Sequence, residues 1–416
     1  MSAVNGLRGT GDWSADERPK DFRNTILWLN PRGTAPIFAL SGRAKKRTVT
    51  DPEFYWWTET NAHIRLTVNG ALGAGDAAIV VDSSDPDSTD QSVNYGLATH
   101  LKPGDILMVE PDVTTTTFGN PELLQVVEVL SATSFLVARG AANTTPGSIA
   151  NDASLLLIGS AYAEGTAAPR AVSRNPVKYY NYTQIFKDTY ELTGTADATE
   201  VRTGDPWSND KKRKMFDHSR AIEETFLFAT NKHEGTGANG KPMRFTAGFR
   251  GFVPAANKHA FSTPATVDDL LDRLEAPFKF TGSGEIGGDT RIVFTGAAGA
   301  LEMGKIIRAE DSLHMQIGDT IKMWGIDFTE LKTPFGRVLF KQHPLLSLHP
   351  VFKYSWYGVD FSAAGWASLK GRDTKAKDDV QDKDEDLRRG FWQTEGGWMV
   401  DGGGMTQFLI DNVRAG

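Results

Sequence analysis

The chain has 416 residues, 40% of them hydrophobic, and its 45 Lys and Arg against 52 Asp and Glu give a formal net charge of −7. The length favours two or three domains, and the acidic balance argues against a protein that binds DNA over its whole surface. No apolar run approaches the roughly 18 residues that span a bilayer, the N-terminus shows no secretory pattern, and the sequence contains no Cys, which excludes disulfides and thiolate metal sites.

Residues 1–46 are rich in Gly, Pro and Arg and predict an extended arm that lies over other surfaces. Basic residues concentrate at the end of this arm and in the run KKRK at 211–214. Such runs are typical of solvated surface. The alternative is a face turned toward nucleic-acid phosphate, which requires counter-charge and no base recognition. The candidate DNA-facing residues are Arg43, Lys45, Lys46, Arg47, Lys211, Lys212, Arg213 and Lys214.

Two aromatic segments, 47–63 and 161–196, predict long strands on either side of an insertion. In the first, Phe54 and Trp56 alternate with Tyr55 and Trp57. In the second, a period of two places four aromatic side chains on one face, Tyr180, Tyr182, Phe186 and Tyr190. As a single strand this segment would extend on the order of 50 Å, well beyond the usual length of about 20 Å. Its apolar face therefore needs a cover from outside its own domain.

Residues 64–160 contain short β-rich runs separated by turn residues, from HIRLTVN to SLLLIG. The run LQVVEVLSATSFLVARG predicts a hairpin that turns at Ser131–Ser134. The close, regular spacing of these runs predicts a small barrel or sandwich that is inserted whole into a longer loop. The Asp-rich loop at 82–92 lacks the Gly and terminal Glu of an EF-hand, so we interpret it as solvated rather than as a calcium site.

A long helix is predicted over 205–230, with Asp205 as its N-cap and Pro206 in its first position. Further along the chain, Thr266 and Asp269 match a capping box at the start of another helix. The aromatic segment 321–346 predicts a hairpin that turns at Lys332–Gly336.

Motifs that would support catalysis or metal binding are weak in this sequence. GSGEIGG (282–288) matches GxGxxG but precedes a strand, whereas a dinucleotide site needs a strand before the glycines and a helix after them. His343 and His349 are not accompanied by a dense ligand set. Glu223 and Glu224 lie in the middle of the predicted helix. We interpret them as members of an ion pair at a subunit contact rather than as a general base. We therefore expect no enzymatic activity, no cofactor and no bound metal.

The order of these features resembles the major capsid proteins of tailed bacteriophages with the Hong Kong 97-like fold. The most specific similarities lie in Phe54–Glu59, in Tyr182–Ala196 and in the charged segment 371–397. The resemblance covers nearly the whole chain and implies an α+β fold. It implies an N-terminal arm (1–46), an extended loop (47–63 and 161–196), a peripheral domain (197–259 and 347–416) with a spine helix at 205–230, and an axial domain (260–346). The β-rich insertion, 64–160, departs from the minimal fold.

The resemblance also implies a function, that of a structural protein that self-assembles as hexamers and pentamers into an icosahedral head around double-stranded DNA. The implied partners are further copies of the chain, portal, scaffold or cement proteins, and packaged DNA bound non-specifically, with no membrane. The implied location is the virion, assembled in the host bacterial cytoplasm. The extended strands would lie across a neighbouring subunit, and the turn near Gly336 would point at the capsomer centre. The candidate inter-subunit residues are Phe54, Trp56, Trp57, Tyr180, Tyr182, Phe186, Tyr190, Thr333, Pro334 and Phe335.

Two other classes of function stay open at this point. A trimeric phage fibre or an adhesin-like binding protein would be built around the β-rich insertion, and it would form trimers rather than large spherical particles. A hydrolase with a site that no motif reveals is the third reading.

Overall fold

The computed structural model describes residues 46–414, except 60–62, 83, 86–93, 112–120, 202–203, 281–288, 310–315 and 324–325, and it gives the backbone alone at 308–309, 316–323 and 326–327. Most of the predicted arm, with Arg43 and Lys45, lies outside the described residues. The GSGEIGG segment (282–288) and most of the loop 82–92 also lie outside the described residues.

Helices and strands both contribute, so the fold is α+β. The first strands are β1 (Lys46–Val49), β2 (Glu53–Thr58), β3 (Arg65–Thr67), β4 (Ala78–Val80), β5 (Asp105–Val109), β6 (Leu123–Val129), β7 (Ser134–Ala138), β8 (Ser154–Ser160), β9 (Val177–Tyr182), β10 (Gln184–Thr193) and β11 (His233–Thr236). The remaining strands are β12 (Pro242–Phe245), β13 (Lys258–Ala260), β14 (Thr290–Thr295), β15 (Gln316–Met323), β16 (Ile326–Thr333), β17 (Gly336–Gln342), β18 (Trp356–Val359), β19 (Ala364–Leu369), β20 (Lys375–Lys377), β21 (Leu387–Val400) and β22 (Phe408–Asp411). The helices are α1 (Gly194–Ala198), α2 (Pro206–Phe228), α3 (Phe249–Phe252), α4 (Val267–Phe278), α5 (Ala297–Ala309) and α6 (Pro344–Leu348).

The long helix α2 begins as the sequence predicts. The Asp205 side chain accepts hydrogen bonds from the backbone N–H groups of Trp207 and Ser208, at 3.2 and 3.1 Å, and Pro206 occupies the first turn. These contacts satisfy backbone donors that have no partner inside the helix. The predicted capping box of Thr266 and Asp269 is likewise present at the start of α4. Among the described residues, no helix is long and apolar enough to cross a membrane.

The largest sheet has seven strands in the order β13-β22-β18-β14-β17-β16-β15. Its strand β14 is buried along its whole length, which explains the apolar run Ile292–Phe294 at its centre. The predicted hairpin is present as β16 and β17, whose register closes at Thr333 and Gly336. The sheet takes β18 and β22 from the segment 347–416, so the segments assigned to the axial and peripheral domains share one sheet.

A second sheet, in the order β1-β19-β21-β10, carries α2 on one face. Strand β10 pairs with β21 along its whole length, from Gln184–Gly396 to Thr193–Leu387. The short strand β20 extends the sheet by pairing with β21. The register places sequence positions about two hundred residues apart side by side, so this sheet ties the centre of the chain to its C-terminal part.

The predicted aromatic ribbon at 180–192 is two strands rather than one. Strand β9 pairs with β2 in a separate two-stranded sheet, and β10 belongs to the larger sheet described above. The break falls at Thr183, whose N–H donates to the carbonyl of Pro52 at 2.8 Å. The buried face changes there as well, from Tyr179 and Asn181 in β9 to Phe186 and Tyr190 in β10. The four aromatic side chains therefore do not share a face.

Asn181 supplies the physical reason for this break. Its side chain is fully buried and its amide nitrogen donates to Thr246 Oγ1, to the Ala247 carbonyl and to the Trp398 carbonyl, at 2.9, 3.1 and 2.8 Å. Its amide oxygen accepts from the backbone of Ala247 at 3.0 Å. A buried amide with this set of partners is held in one position, and it fixes the chain where the two sheets meet.

The insertion is a small barrel. Its six strands have the order β3-β8-β5-β6-β7-β4, and an antiparallel bridge between Val68 and Val81 joins the two edge strands. The backbone N–H of Asn69 donates to Val80 at 2.8 Å across the same seam. A separate apolar core fills the interior. The entry and exit of the chain lie side by side, because the N–H of Leu157 donates to the carbonyl of Ile64 at 3.0 Å.

Candidate assembly surfaces

The inner face of the β2–β9 ribbon is buried within the chain. Phe54, Trp56 and Tyr179 are 3%, 5% and 8% exposed, and the indole N–H of Trp56 donates to the Val400 carbonyl at 2.9 Å. The Trp56 ring lies 6.3 Å from Tyr179 and 5.8 Å from Phe252, between ring centroids. The expectation that Phe54 and Trp56 are inter-subunit contacts is therefore wrong, because both rings belong to the subunit's own core.

Phe186 and Tyr190 are also covered by their own chain. Phe186 packs with Ile222 of α2 and Trp366 of β19 in one buried cluster. The ring of Tyr190 lies 4.9 Å from that of Trp207, and its hydroxyl donates to Asp378 at 2.5 Å. The expectation that both rings contact a neighbouring subunit is wrong, because alternation in the sequence shows which face is buried without showing what buries it. The covering element is α2, which folds back over β10.

The outer face of the same ribbon is partly covered by the chain, and Trp57 and Lys178 are its exposed residues. Three cross-strand pairs form it, namely Glu53 with Tyr182, Tyr55 with Tyr180, and Trp57 with Lys178. We call these six residues the outer ladder. Trp57 is 62% exposed, which is unusual for so large an aromatic side chain. Of the predicted contact residues, Trp57, Tyr180 and Tyr182 lie together on this face.

Charged groups line the outer ladder. The Lys178 ammonium lies 3.7 Å from the ring centroid of Tyr55, and that of Lys232 lies 3.5 Å from the ring of Tyr180. Burial lowers the pKa of Lys232. A hydrogen bond with Glu53 is the main cause that raises the pKa of Tyr55 to about 12, so its hydroxyl stays protonated at neutral pH. The ladder therefore combines aromatic rings with fixed charges of both signs.

The predicted turn at the end of the β16–β17 hairpin is exposed at its tip. Phe335 is 41% exposed, and the hydroxyl of Thr333 accepts from the N–H of Gly336 at 3.2 Å and donates to its carbonyl at 2.8 Å. These hydrogen bonds hold the turn closed with groups of its own residues. Pro334 and Phe335 are exposed at its tip. The turn lies on a different sheet from the outer ladder.

The basic cluster at the start of α2 is largely paired with acidic residues. Lys211 contacts Asp378 at 2.5 Å, Arg213 contacts Asp210 at 3.4 Å, and Lys214 contacts Asp217 at 4.0 Å. Lys212 and Arg213 are exposed. At the other candidate position, Lys46 forms an ion pair with Asp373, and Arg47 donates to the carbonyl of Tyr55 at 3.2 Å. The described basic residues thus lie within mixed-charge surface.

Two buried polar contacts have partners that the sequence patterns do not indicate. Glu223 and His343 are both fully buried and meet at 2.8 Å, so the polar contact of Glu223 lies inside the subunit rather than at a subunit contact. His218 lies between Asp188, at 2.6 Å, and the hydroxyl of Thr394, at 2.8 Å. An Asp–His–hydroxyl chain occurs in hydrolases, but Thr394 is fully buried and is not accessible to a substrate. Neither contact has a local signal, because the partners are far apart in the sequence.

The His, Asp and Glu side chains of the described residues do not converge on a metal site. Within the described part of the chain, no group of three or more of these side chains could hold a metal ion. His343 instead precedes the first turn of α6, and His349 follows its last turn.

Comparison with known proteins identifies the family. The family model described as "SU10 major capsid protein" matches residues 4–402 of the chain. A curated relative, the major capsid protein of Pseudomonas phage PaMx41, is 28% identical over 384 residues, which cover 91% of this chain and 85% of the relative. Neither description refers to a fibre.

Solved structures resemble the chain more distantly. The capsid of an empty GTA particle has a TM-score of 0.46 at 12% identity, and the match covers 99% of this chain and 100% of that one. A structure from Mycobacterium phage Cain has a TM-score of 0.47 at 8% identity, with 98% of each chain covered. On the family match, which spans nearly its whole length, the chain belongs to the SU10 major capsid protein family and is a structural protein of the phage capsid.

Proposed function

We propose that copies of this chain self-assemble as hexamers and pentamers into an icosahedral head that encloses double-stranded DNA, with the subunit arrangement of the Hong Kong 97-like fold. The observation that carries this proposal is Trp57, an aromatic side chain on the outer ladder of the ribbon that is 62% exposed in the subunit. A two-stranded ribbon with an exposed aromatic face is an aggregation liability in a monomer, and closed symmetric assembly removes that liability.

The proposed roles of the parts follow the resemblance to the fold. Helix α2 serves as the spine of the peripheral domain, the hairpin turn with Pro334 and Phe335 lies at the capsomer centre, and the ribbon of β2 and β9 crosses a neighbouring copy. Portal, scaffold or cement proteins are the further partners, and assembly takes place in the host cytoplasm. The protein acts as a building block and not as an enzyme.

Interface area accounts for the strength of such a shell. Specific interfaces bury roughly 1,200–2,000 Å² each, and every subunit of a closed shell takes part in several of them. Because the chain contains no Cys, disulfide bonds between subunits cannot stabilise the shell. Non-covalent contacts, or covalent bonds of another kind, have to hold the subunits together.

Electron microscopy and sedimentation of the purified protein test the proposal. We expect closed spherical particles from the unmodified chain. The variant Trp57→Ala should keep the circular dichroism and thermal transition of the parent while its particle yield falls. The matched control is Val80→Ala, which truncates a side chain that is 45% exposed on the barrel. Uniform trimers of the unmodified chain under all assembly conditions would contradict the proposal and favour a fibre.

A further inference from the structure

Three lysine side chains lie together on one face of the sheet that contains β10, β20 and β21. The register makes Lys187 of β10 and Lys375 of β20 cross-strand partners of the same residue, Gln393, and it makes Lys377 the partner of Phe391. Cross-strand partners share a face, and neighbouring strands lie about 4.8 Å apart, so the two lysines beside Gln393 are about 10 Å apart at the backbone. The ammonium groups of Lys187 and Lys377 lie 5.8 and 5.5 Å from the ring centroid of Phe391. We call Lys187, Lys375 and Lys377 the lysine face.

The subunit does not neutralise the lysine face with salt bridges. Three carboxylates lie on or beside it, and each is paired with another cation: the pairs are Glu191 with Arg389, Glu395 with Arg372, and Asp373 with Lys46. Lys375 also interacts electrostatically with Asp373, without a salt bridge of its own. Within the described part of the chain, the three lysines are exposed and form no salt bridge. The lysine face therefore offers three positive charges to a partner.

Helix α2 lies on the opposite side of the same sheet. Phe186 and Tyr190 of β10 contact α2, and side chains alternate along a strand, so Lys187 points away from the helix. A DNA surface on one side of the sheet cannot contact both faces. Because the candidate DNA-facing cluster at 211–214 belongs to α2, the lysine face is left for a protein partner.

The chain itself contains an acidic segment, at 378–386, which connects β20 to β21. Its sequence, DDVQDKDED, has six acidic residues and one Lys. Three of the acidic side chains form salt bridges within the subunit, namely Asp378 with Lys211, Asp379 with Arg388, and Glu385 with Arg389. The other three are exposed and form no salt bridge among the described residues, namely Asp382, Asp384 and Asp386. We call 378–386 the acidic loop.

The acidic loop begins on the side of the sheet that α2 covers. Asp378 contacts Lys211 of α2 at 2.5 Å. Arg388, which pairs with Asp379 at 3.0 Å, lies 4.3 Å from the ring centroid of Trp207, also in α2. The lysine face points to the other side, and no salt bridge joins it to the acidic loop of its own subunit among the described residues. The loop is thus available to a neighbouring copy.

We propose that the lysine face of one copy binds the acidic loop of a second copy. The inference rests on the proposed self-assembly and names two surfaces that meet in it. Three exposed ammonium groups opposite three exposed carboxylates are electrostatically complementary, and such complementarity selects the partner and its orientation. The hairpin of β20 and β21 carries part of the lysine face and the whole acidic loop, so each copy can bind one neighbour through each surface. Contacts of this heterologous kind close into rings when the rotation between copies permits it.

Exchange of charge between the two surfaces tests the pairing. The quantity measured is the lowest protein concentration that yields particles in the absence of DNA, by sedimentation and electron microscopy. We expect Lys375→Glu, Lys377→Glu to raise this concentration about tenfold or more, because like charges that face each other are strongly unfavourable at an interface. Asp382→Lys, Asp384→Lys should raise it as well. The variant that combines all four changes should return it close to the value of the unmodified chain, because opposite charges again face each other.

The matched control is Lys279→Glu, Lys305→Glu, which reverses two lysine charges that are 59% and 50% exposed at α4 and α5. The control should assemble at the concentration of the unmodified chain. Thermal unfolding of the unassembled subunits shows that each variant folds.

Three results would overturn the proposal. They are an equal shift in the control, unchanged assembly of Lys375→Glu, Lys377→Glu, and a folded four-fold variant that does not recover assembly. Normal assembly of the lysine variant with loss of packaged genome would also overturn it, and would show that the face binds DNA. Absence of particles from the unmodified chain, assembled in parallel, reports failure of the proposed function separately.

Cross-linking gives a second measurement that does not depend on charge reversal. The chain has no Cys, so each introduced thiol is unique. Lys377→Cys and Asp384→Cys proteins are purified separately, mixed, assembled and treated with a short bis-maleimide. We expect a species of twice the chain mass of 45.4 kDa, in higher yield than from either variant alone or from Lys377→Cys mixed with Lys279→Cys. Equal yields from these samples would refute the pairing, and particles in all of them would leave the proposed function intact.

Discussion

Phe186 lies between helix α2 and strand β19, where it is 7% exposed and shares a buried cluster with Ile222 and Trp366. We expect Phe186→Ala to lower the free energy of unfolding of the subunit by about 3–5 kcal/mol, because truncating a buried aromatic ring removes its packing and leaves a cavity. Urea unfolding of the unassembled subunit, followed by circular dichroism, measures this change.

The control for this prediction is Trp57→Ala. Its ring is exposed in the subunit, so the urea midpoint should stay close to that of the parent. If Trp57→Ala destabilised the subunit as strongly as Phe186→Ala, the distinction between the inner core and the outer ladder would be wrong.

Glu122 and Arg139 form a buried, two-point ion pair at the end of the barrel where β6 begins and β7 ends. Nε and Nη2 of Arg139 each donate to a different oxygen of Glu122, both at 2.7 Å, and both side chains are 7% exposed. The N–H groups of Gly140 and Gly147 donate to the same carboxylate at 3.2 and 3.0 Å. Removing one partner of such a pair leaves the other buried and uncompensated, which typically costs about 3–5 kcal/mol.

The predicted effect of Glu122→Gln depends on pH. Burial acts to raise the pKa of Glu122, but the hydrogen bonds from Arg139, Gly147 and Gly140 outweigh it, so the pKa in the folded state is lowered. The carboxylate therefore stabilises the fold above its unfolded pKa of about 4.3, and this contribution is lost as the pH falls through the lower folded value. Glu122→Gln should speed hydrogen exchange in β6 and β7 at pH 7, and the difference from the parent should shrink below about pH 4. A difference that stayed constant across this range would contradict the role of the charge.

At the scale of whole elements, the barrel has the features of an inserted domain. It has its own apolar core, and its two chain ends meet at the contact of Leu157 with Ile64. Replacing 64–160 with a short Gly and Ser linker should therefore leave a folded subunit, because inserted domains with adjacent ends are tolerated as units.

The deletion variant is tested by circular dichroism and by limited proteolysis, with the isolated segment 64–160 expressed in parallel. We expect the remaining chain to keep the cooperative unfolding of the parent. An insoluble deletion variant together with an unfolded isolated segment would show that the boundaries are wrong.

Elements that depend on neighbouring residues were predictable from the sequence. The N-cap at Asp205, the capping box at Thr266 and the hairpin that closes at Gly336 each rest on contacts within a few positions, and the structure contains all three. The short strands of the barrel were predictable for the same reason.

Features that depend on distant partners were not predictable. The interruption at Thr183 comes from the buried amide of Asn181, which bonds to Ala247 and Trp398. Periodicity in the sequence contains no information about these partners, so a continuous ribbon was the expected outcome. The same limit applies to the candidate site, because the pattern identified Phe186 and Trp57 as strand aromatics without showing that one would be covered by α2 and the other left exposed.

At the scale of the whole molecule, the candidate basic residues that the structure describes are mixed with acidic ones and do not form a uniformly positive face. Lys211 illustrates this mixture, since it contacts Asp378, which also accepts a hydrogen bond from Tyr190. The hydrogen bond from Lys211 is the main cause that lowers the pKa of Asp378. Replacing Lys211 with a neutral residue would therefore disturb the contact of Asp378 with Tyr190 of β10 as well as any contact with DNA. A Lys211 variant is for this reason unsuitable for a test of DNA binding.

Lys212 and Arg213 are exposed and give a cleaner test of the proposal that this region faces packaged DNA. We expect the double variant Lys212→Gln, Arg213→Gln to form heads of normal size that lose their genome at lower salt than the parent, because phosphate contacts contribute counter-charge that salt screens. The control is Lys241→Gln, Lys332→Gln, which removes the same charge from an exposed loop and an exposed strand. The measurement is the ratio of filled to empty heads on a density gradient across a series of salt concentrations. Equal genome loss in the two variants would show that the cluster on α2 is ordinary solvated surface, whereas selective loss from the first would place this end of the helix against the DNA.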